Sequence, residues 1–281
     1  MSFNPTEYKV LSFDIYGTLI DWERGIYQGL TPLLSKLRES DPRHPSSHSY
    51  DKNRAVALEI LSSYTKLEAQ IQIEHPTLPY PKVLEAIYKR LAEQLSLPAS
   101  DSEIAEFSSS IGKWPAFPDT VAAMQTLGKH YKLVVLSNVD KASFSKTLSG
   151  PLSGVKFDAI YTAEDIGSYK PDLKNFQYMV ENAGKSFGAK KEEVLKVAQS
   201  LYHDHIPAKK FGLRPSVWIK RGGDDAAMGG RMSRMRCNLR LCLRPWGSLR
   251  RRLRRRLGRH ELVESFDFDG IAMDCLAFPL G

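Results

Sequence analysis

Short apolar runs alternate with helical stripes along most of the chain. YKVLSFDIY (8–16) is rich in β-branched and aromatic residues and reaches a Gly-Thr pair just after Asp14, which predicts a buried strand ending in a tight turn. LVVLSN (133–138) predicts a second strand, and FDAIYTA (157–163), VLKVAQS (194–200) and PSVWIKR (215–221) predict three more. Helical periods lie between them: FPDTVAAMQTLGKH, with Pro118 and Asp119 as start signals, then KPDLKNFQYMVENAG and HIPAKKFG, each closed by a glycine. Strand alternating with helix implies an α/β fold, with a Rossmann-like central parallel sheet flanked by helices on both faces.

Residues 22–113 interrupt that alternation, because nearly all of the segment has helical period. PKVLEAIYKRLAEQL sets Val83, Leu84, Ile87, Tyr88, Leu91 and Leu95 on one stripe, and an earlier helix is expected over about 53–74. The polar stretch SDPRHPSSHSYD (40–51) predicts a loop within it. The expected organisation is therefore a core from residues 1–21 and 114–281, with 22–113 inserted as a helical domain.

Composition changes this picture little. With 42% hydrophobic and 26% charged residues in 281, the chain is long enough to bury a sizeable core. No apolar run suits a membrane span and the N-terminus MSFNPTEY is polar, so a cytoplasmic location without membrane attachment is expected. Cys237, Cys242 and Cys275 make neither a disulfide framework nor a zinc quartet. The net charge of +8 is local: residues 221–260 hold 13 Arg against 2 Asp, leaving the remainder slightly acidic and nucleic acid a disfavoured partner.

Ligands in open α/β sheets sit outside the carboxyl ends of the strands. Four such ends carry polar groups here: Asp14, Ser137 with Asn138, Lys170 and Asp204. An aspartate so placed can attack an electrophilic centre and form a covalent ester or acyl phosphate. Gly17 allows a sharp turn beside it, Thr18 and Ser137 offer hydroxyls, and Lys170 supplies a fixed positive charge to keep Asp14 ionised. Taken alone, Asp14 reads rather as a turn or cap aspartate; the groups at the other strand ends favour a site.

FDIYGTLID, VVLSN, SYKPDLKNF and the Asp204 of YHD occur in the order and spacing of the haloacid dehalogenase-like hydrolases. With Tyr16 two places after Asp14 and a helical cap domain between the first two motifs, the chain most resembles the L-2-haloacid dehalogenase branch. The resemblance covers about residues 8–221. It implies Asp14 as nucleophile, with Lys170, Ser137, Thr18 and Asp204 in catalysis and Tyr16, Asn138, Phe176 and Gln199 against a small-molecule substrate. Phosphatases of this group carry a second aspartate where Tyr16 stands, which protonates a poor leaving group; a halide needs no proton. The resemblance thus implies cleavage of a carbon–halogen bond without metal or other cofactor, then hydrolysis of an aspartyl ester. A Mg²⁺-dependent phosphatase and a non-catalytic binding protein with a basic arm are the alternatives, and a homodimer stays open.

The sequence departs from that pattern in places. LSSYTKLEAQ (61–70) lacks the arginine that grips substrate in the family and offers only Lys66; Phe176 replaces a tyrosine; Gln199 and Leu201 stand for a serine and an asparagine. His203 and His205 flank Asp204 but, opening a helix, would point apart, and Trp22, Trp114 and Trp218 suit packed core. The arginine-rich block, with a candidate amphipathic helix over Ser248–Gly258, reads as an insertion before a final strand (263–277), disordered or arising from a misread coding segment. DFDG (267–270) lacks the Thr-Leu of a phosphatase motif.

Overall fold

The computed structural model describes residues 5–45, 50, 54–75, 78–213, 216–221 and 241–243. Ser248–Gly258, DFDG, Cys237, Cys275 and nearly all of the arginine-rich block lie outside them.

Six strands, β1 (Val10–Phe13), β2 (Lys132–Ser137), β3 (Ala159–Thr162), β4 (Val194–Ala198), β5 (Ser216–Ile219) and β6 (Leu241–Leu243), form one parallel sheet. Their order is β3-β2-β1-β4-β5-β6. The first five answer to the five apolar runs. Alternation along each strand divides the core: Leu11, Phe13, Leu133, Val135, Leu195 and Val197 face one apolar cluster, while Val10, Val134, Leu136 and Val194 face the other. The chain moves outward from β1 through β2 to β3, then returns to β4 on the opposite side. The order therefore reverses between β1 and β4, the kind of position outside which open α/β sheets bind their ligands.

Helices α1 (Trp22–Leu34), α2 (Arg54–Glu74), α3 (Tyr80–Gln94) and α4 (Asp101–Ser108) all fall between β1 and β2 and build the inserted helical domain. Their buried stripes merge with one face of the sheet: Ile26, Leu30, Ile60, Leu67, Val83 and Ile87 belong to the same cluster as Phe13 and Val135. Gly25 lets α1 close on the core, since a Cβ there would overlap the Trp114 indole. After α5 (Thr120–Leu127), α6 (Lys141–Ser149) and the short α7 (Ala163–Ile166), α8 (Leu173–Phe187) covers the second face, followed by α9 (Ile206–Phe211).

Two local expectations differ. α8 runs through Gly184 and closes at Gly188, because its apolar stripe continues from Phe176, Met179 and Ala183 to Phe187. Asp119 precedes α5 but makes no side-chain cap; its Oδ1 instead accepts from Arg221 Nη1 at 2.8 Å. Among the described residues no helix is long and apolar enough to cross a membrane.

Candidate active site

Asp14 follows the last residue of β1, and its backbone N–H donates to Val197 on β4. The chain then turns back on itself over residues 15–20: Gly17, at φ +89°, donates to Ile20, and Thr18 donates to Ile15. That positive φ is where only glycine sits without strain. The turn brings Thr18 Oγ1 to 3.1 Å from Asp14 Oδ2, to which it donates, while the same oxygen accepts from Gln199 N at 3.0 Å. Arg221, just beyond β5, donates from Nε to the Thr18 carbonyl at 3.1 Å. β4 and β5 thus both hold the loop that carries Asp14.

Lys170 enters from the loop between α7 and α8 and is buried. Its Nζ donates to Asp14 Oδ1 at 2.8 Å, Asp204 Oδ1 at 2.8 Å and Leu136 O at 3.0 Å, so its three N–H bonds have three acceptors. Burial disfavours the ammonium, but the two carboxylates outweigh it and its pKa is raised. Asn138 clamps the lysine backbone: Nδ2 donates to Lys170 O at 2.9 Å and Oδ1 accepts from Lys170 N at 2.7 Å.

Asp204 lies on a single π-helical turn, Leu201–His205, that starts from Ser200. Its Oδ1 takes a second cation, Lys196 Nζ at 2.9 Å, and its Oδ2 has no hydrogen-bond partner among the described residues. Burial pushes this carboxyl up, yet Lys170 and Lys196 together hold it well below the usual carboxylate range. Asp14, Asp204, Lys170 and Lys196 thus form one buried group of two aspartates and two lysines.

The remaining expected residues divide. Ser137 ends β2 with its buried Oγ unpartnered among the described residues. Gln199 has its backbone carbonyl bonded by Trp218 Nε1 at 2.7 Å, and its Oε1, also unpartnered, lies beside Gly17 together with Trp22 Nε1. Tyr16 packs edge-on against Trp114, and its hydroxyl is 2.9 Å from Thr147 Oγ1. Either hydroxyl can be the donor in that contact, and Thr147 Oγ1 also lies 3.2 Å from the Ser143 carbonyl. Burial, with smaller contributions from Asp140 and Asp14, raises the Tyr16 pKa and keeps the phenol neutral. Phe176 is wholly buried in the apolar cluster beneath the second sheet face, with Val10, Val134 and Leu136.

The two histidines point apart, as their spacing predicts. His205 donates from Nε2 to the Ala198 carbonyl at 2.9 Å and so accepts at Nδ1 from Ser216 Oγ at 2.9 Å. Burial holds it neutral, with its pKa down to about 4. His203 Nδ1 meets Ser200 Oγ. No group of three or more His, Cys, Asp or Glu side chains suited to a metal occurs among the described residues. A divalent ion asks for several oxygen ligands, whereas here an ammonium bridges Asp14 and Asp204 and a phenol stands at position 16.

Lys66 on α2 is exposed, and the inward residue one half-turn before it is Tyr64, packed on Trp22 with ring centroids 6.1 Å apart. Tyr64, Tyr80 and Glu68 bond one another, Tyr80 donating to Glu68 Oε1 at 2.6 Å. Lys196 and Arg221 were not anticipated. The signal for Lys196 was legible: a lysine at an inward position of the apolar strand VLKVA.

A family model of haloacid dehalogenase-like hydrolases matches residues 8–212. The chain belongs to that family. Among solved structures, the L-2-haloacid dehalogenase PA0810 is similar at 20% identity and TM-score 0.67, over 88% of this chain and 98% of that one. The L-2-haloacid dehalogenase from Xanthobacter autotrophicus with chloropropionic acid covalently bound is similar at 16% identity and TM-score 0.65, over 89% and 100%. The putative hydrolase YfnB from Bacillus subtilis, bound to magnesium, is similar at 18% identity and TM-score 0.61, over 88% and 98%. At these identities the likeness is one of fold. No curated protein matches.

Proposed function

We propose that this hydrolase displaces halide from the tetrahedral carbon of a 2-haloacid, with Asp14 as nucleophile and an aspartyl ester as intermediate. Residues 1–21 and 114–281 then form the catalytic core, and 22–113 a cap over it. The observation that carries the reading is the Lys170 ammonium on one oxygen of Asp14, with the Thr18 hydroxyl on the other. Together they orient the carboxylate and keep it charged.

In the first step an Asp14 oxygen forms a bond to the substrate carbon from the side opposite the halogen. The carbon–halogen bond breaks, its electron pair leaves as halide, and the configuration at carbon inverts. No proton moves, which agrees with a neutral Tyr16 whose hydroxyl is hydrogen-bonded with Thr147. In the second step water adds to the ester carbonyl carbon of Asp14, and the bond from that carbon to the substrate oxygen breaks. A 2-hydroxy acid leaves, the Asp14 carboxylate is restored, and one proton is released. The free Oδ2 of Asp204 supplies a buried acceptor to orient that water, and the Ser137 hydroxyl and Gln199 Oε1 are unpartnered groups for the substrate.

A phosphatase reading lacks comparable support, because an alkoxide leaving group needs the acid that Tyr16 does not provide. The test is chloride release from (S)-2-chloropropionate in EDTA, beside Asp14→Asn. Release by the wild type and none by the variant supports the reading. Hydrolysis of phosphate esters only with Mg²⁺, without any chloride release, would overturn it.

A further inference from the structure

Of the four charged side chains that meet at the strand ends, Lys196 is the one outside the motif-bearing residues. Positions 194, 196 and 198 of β4 share one side of the sheet, where Val194 packs with Val10, Val134 and Phe176. An apolar residue at 196 would complete that surface. Lysine is there instead, wholly buried, and an ammonium without a partner is costly at such a position. Its neighbour in register on β1 is Ser12, also wholly buried, whose Oγ has no hydrogen-bond partner among the described residues.

Lys196 lies 2.9 Å from Asp204 Oδ1, the same oxygen that Lys170 reaches at 2.8 Å. Two like charges converge on one atom, an arrangement that requires Asp204 to be ionised. Lys170 in turn divides its charge between Asp204 and Asp14. With Lys196 present there is one ammonium for each carboxylate. Without it, Lys170 alone faces two.

We propose that Lys196 is a positioning residue that neutralises Asp204 and thereby leaves the charge of Lys170 for Asp14. The functional part of this inference rests on Asp14 being the nucleophile. The groups that face Lys196 are Asp204 and His205 on the turn after β4, Lys170 from the loop before α8, and Asp14 at the end of β1. Burial holds His205 neutral and lowers the Lys196 pKa, a shift that the nearby Asp204 carboxylate opposes, so the balance is set by two aspartates and two lysines. Removing one cation raises the proton affinity of Asp204 and weakens the hold of Lys170 on Asp14.

The experiment compares wild type with Lys196→Met, which keeps the length and loses the charge, and with Lys196→Gln as a second neutral variant. Folding is checked by circular dichroism. The titration of Asp204 is followed by NMR on protein labelled with ¹³C at the aspartate carboxyl, and the acid limb of kcat/KM is followed by chloride release. The expected result is an upward move of about one pH unit or more in both, in line with the shift that loss of a close countercharge produces, together with a loss in kcat larger than any rise in KM. Lys196→Arg should bring the limb back toward the wild type. A folded neutral variant whose Asp204 titration and acid limb stay where they were would overturn the proposal, as would failure of both neutral variants to fold. If wild type releases no chloride, the nucleophile reading fails, and the NMR titration still decides whether Lys196 governs Asp204.

Discussion

Lys170 Nζ stands 2.8 Å from Asp14 Oδ1, although 156 residues separate the two in the chain. Strand β1 brings the carboxylate to the crevice and a loop beyond β3 brings the ammonium, so the contact exists only in the folded protein. Lys170→Met would leave Asp14 and Asp204 facing each other with too little positive charge. Breaking a buried pair from one side costs about 3–5 kcal/mol. Urea unfolding should show that loss, and chloride release should fall below detection even in the fraction that stays folded.

Tyr16→Phe tests whether position 16 supplies a proton. The variant loses the hydrogen bond between this hydroxyl and Thr147, so it should lose about 1 kcal/mol of stability, as for a typical hydrogen bond. Because this bond is not made to the transition state, kcat for chloride release should stay within about threefold of wild type. A large fall in kcat with KM unchanged would give the phenol a chemical role.

His205 predicts a pH dependence of stability. Its folded pKa is lowered to about 4 by burial, below the unfolded value of about 6.5. The unfolded chain therefore binds the proton first as pH falls, and the stability that neutral His205 contributes is fully present above about pH 6.5 and lost between there and about pH 4. The loss amounts to about 3 kcal/mol. Urea midpoints measured from pH 7 to pH 4 should fall accordingly, and His205→Gln should flatten the slope. Asp204, held low by two lysines, adds a further loss that begins only below about pH 4, the unfolded carboxyl range.

Much of this arrangement was legible because strand, turn and strand-end chemistry are local in sequence. The apolar runs located β1 to β5, and residues just past the ends of β1 and β4 include Asp14 and Asp204, which Lys170 joins. What the pattern could not carry was the direction of particular side chains. Asn138 has the same composition signal whether its amide meets a substrate or the backbone of Lys170; only the fold shows that it is 32 residues from its true partner. Phe176 was singled out by the resemblance alone, and only the fold shows its ring packed with Val10, Val134 and Leu136. Asp119 has the look of a helix cap, yet Arg221, 102 residues away, takes its carboxylate. Lys196 broke an apolar strand in plain view, but a buried cation becomes interpretable only when Asp204 is found beside it.

The central claim is that Asp14 attacks carbon and is regenerated by water, and one measurement addresses it directly. A single turnover of (S)-2-chloropropionate by excess enzyme in H₂¹⁸O, followed by mass spectrometry of the Asp14 peptide, should find ¹⁸O in the Asp14 carboxylate and none in the 2-hydroxy acid. Label in the hydroxy acid, with Asp14 unlabelled, would mean that water attacks the substrate carbon itself and would contradict the account.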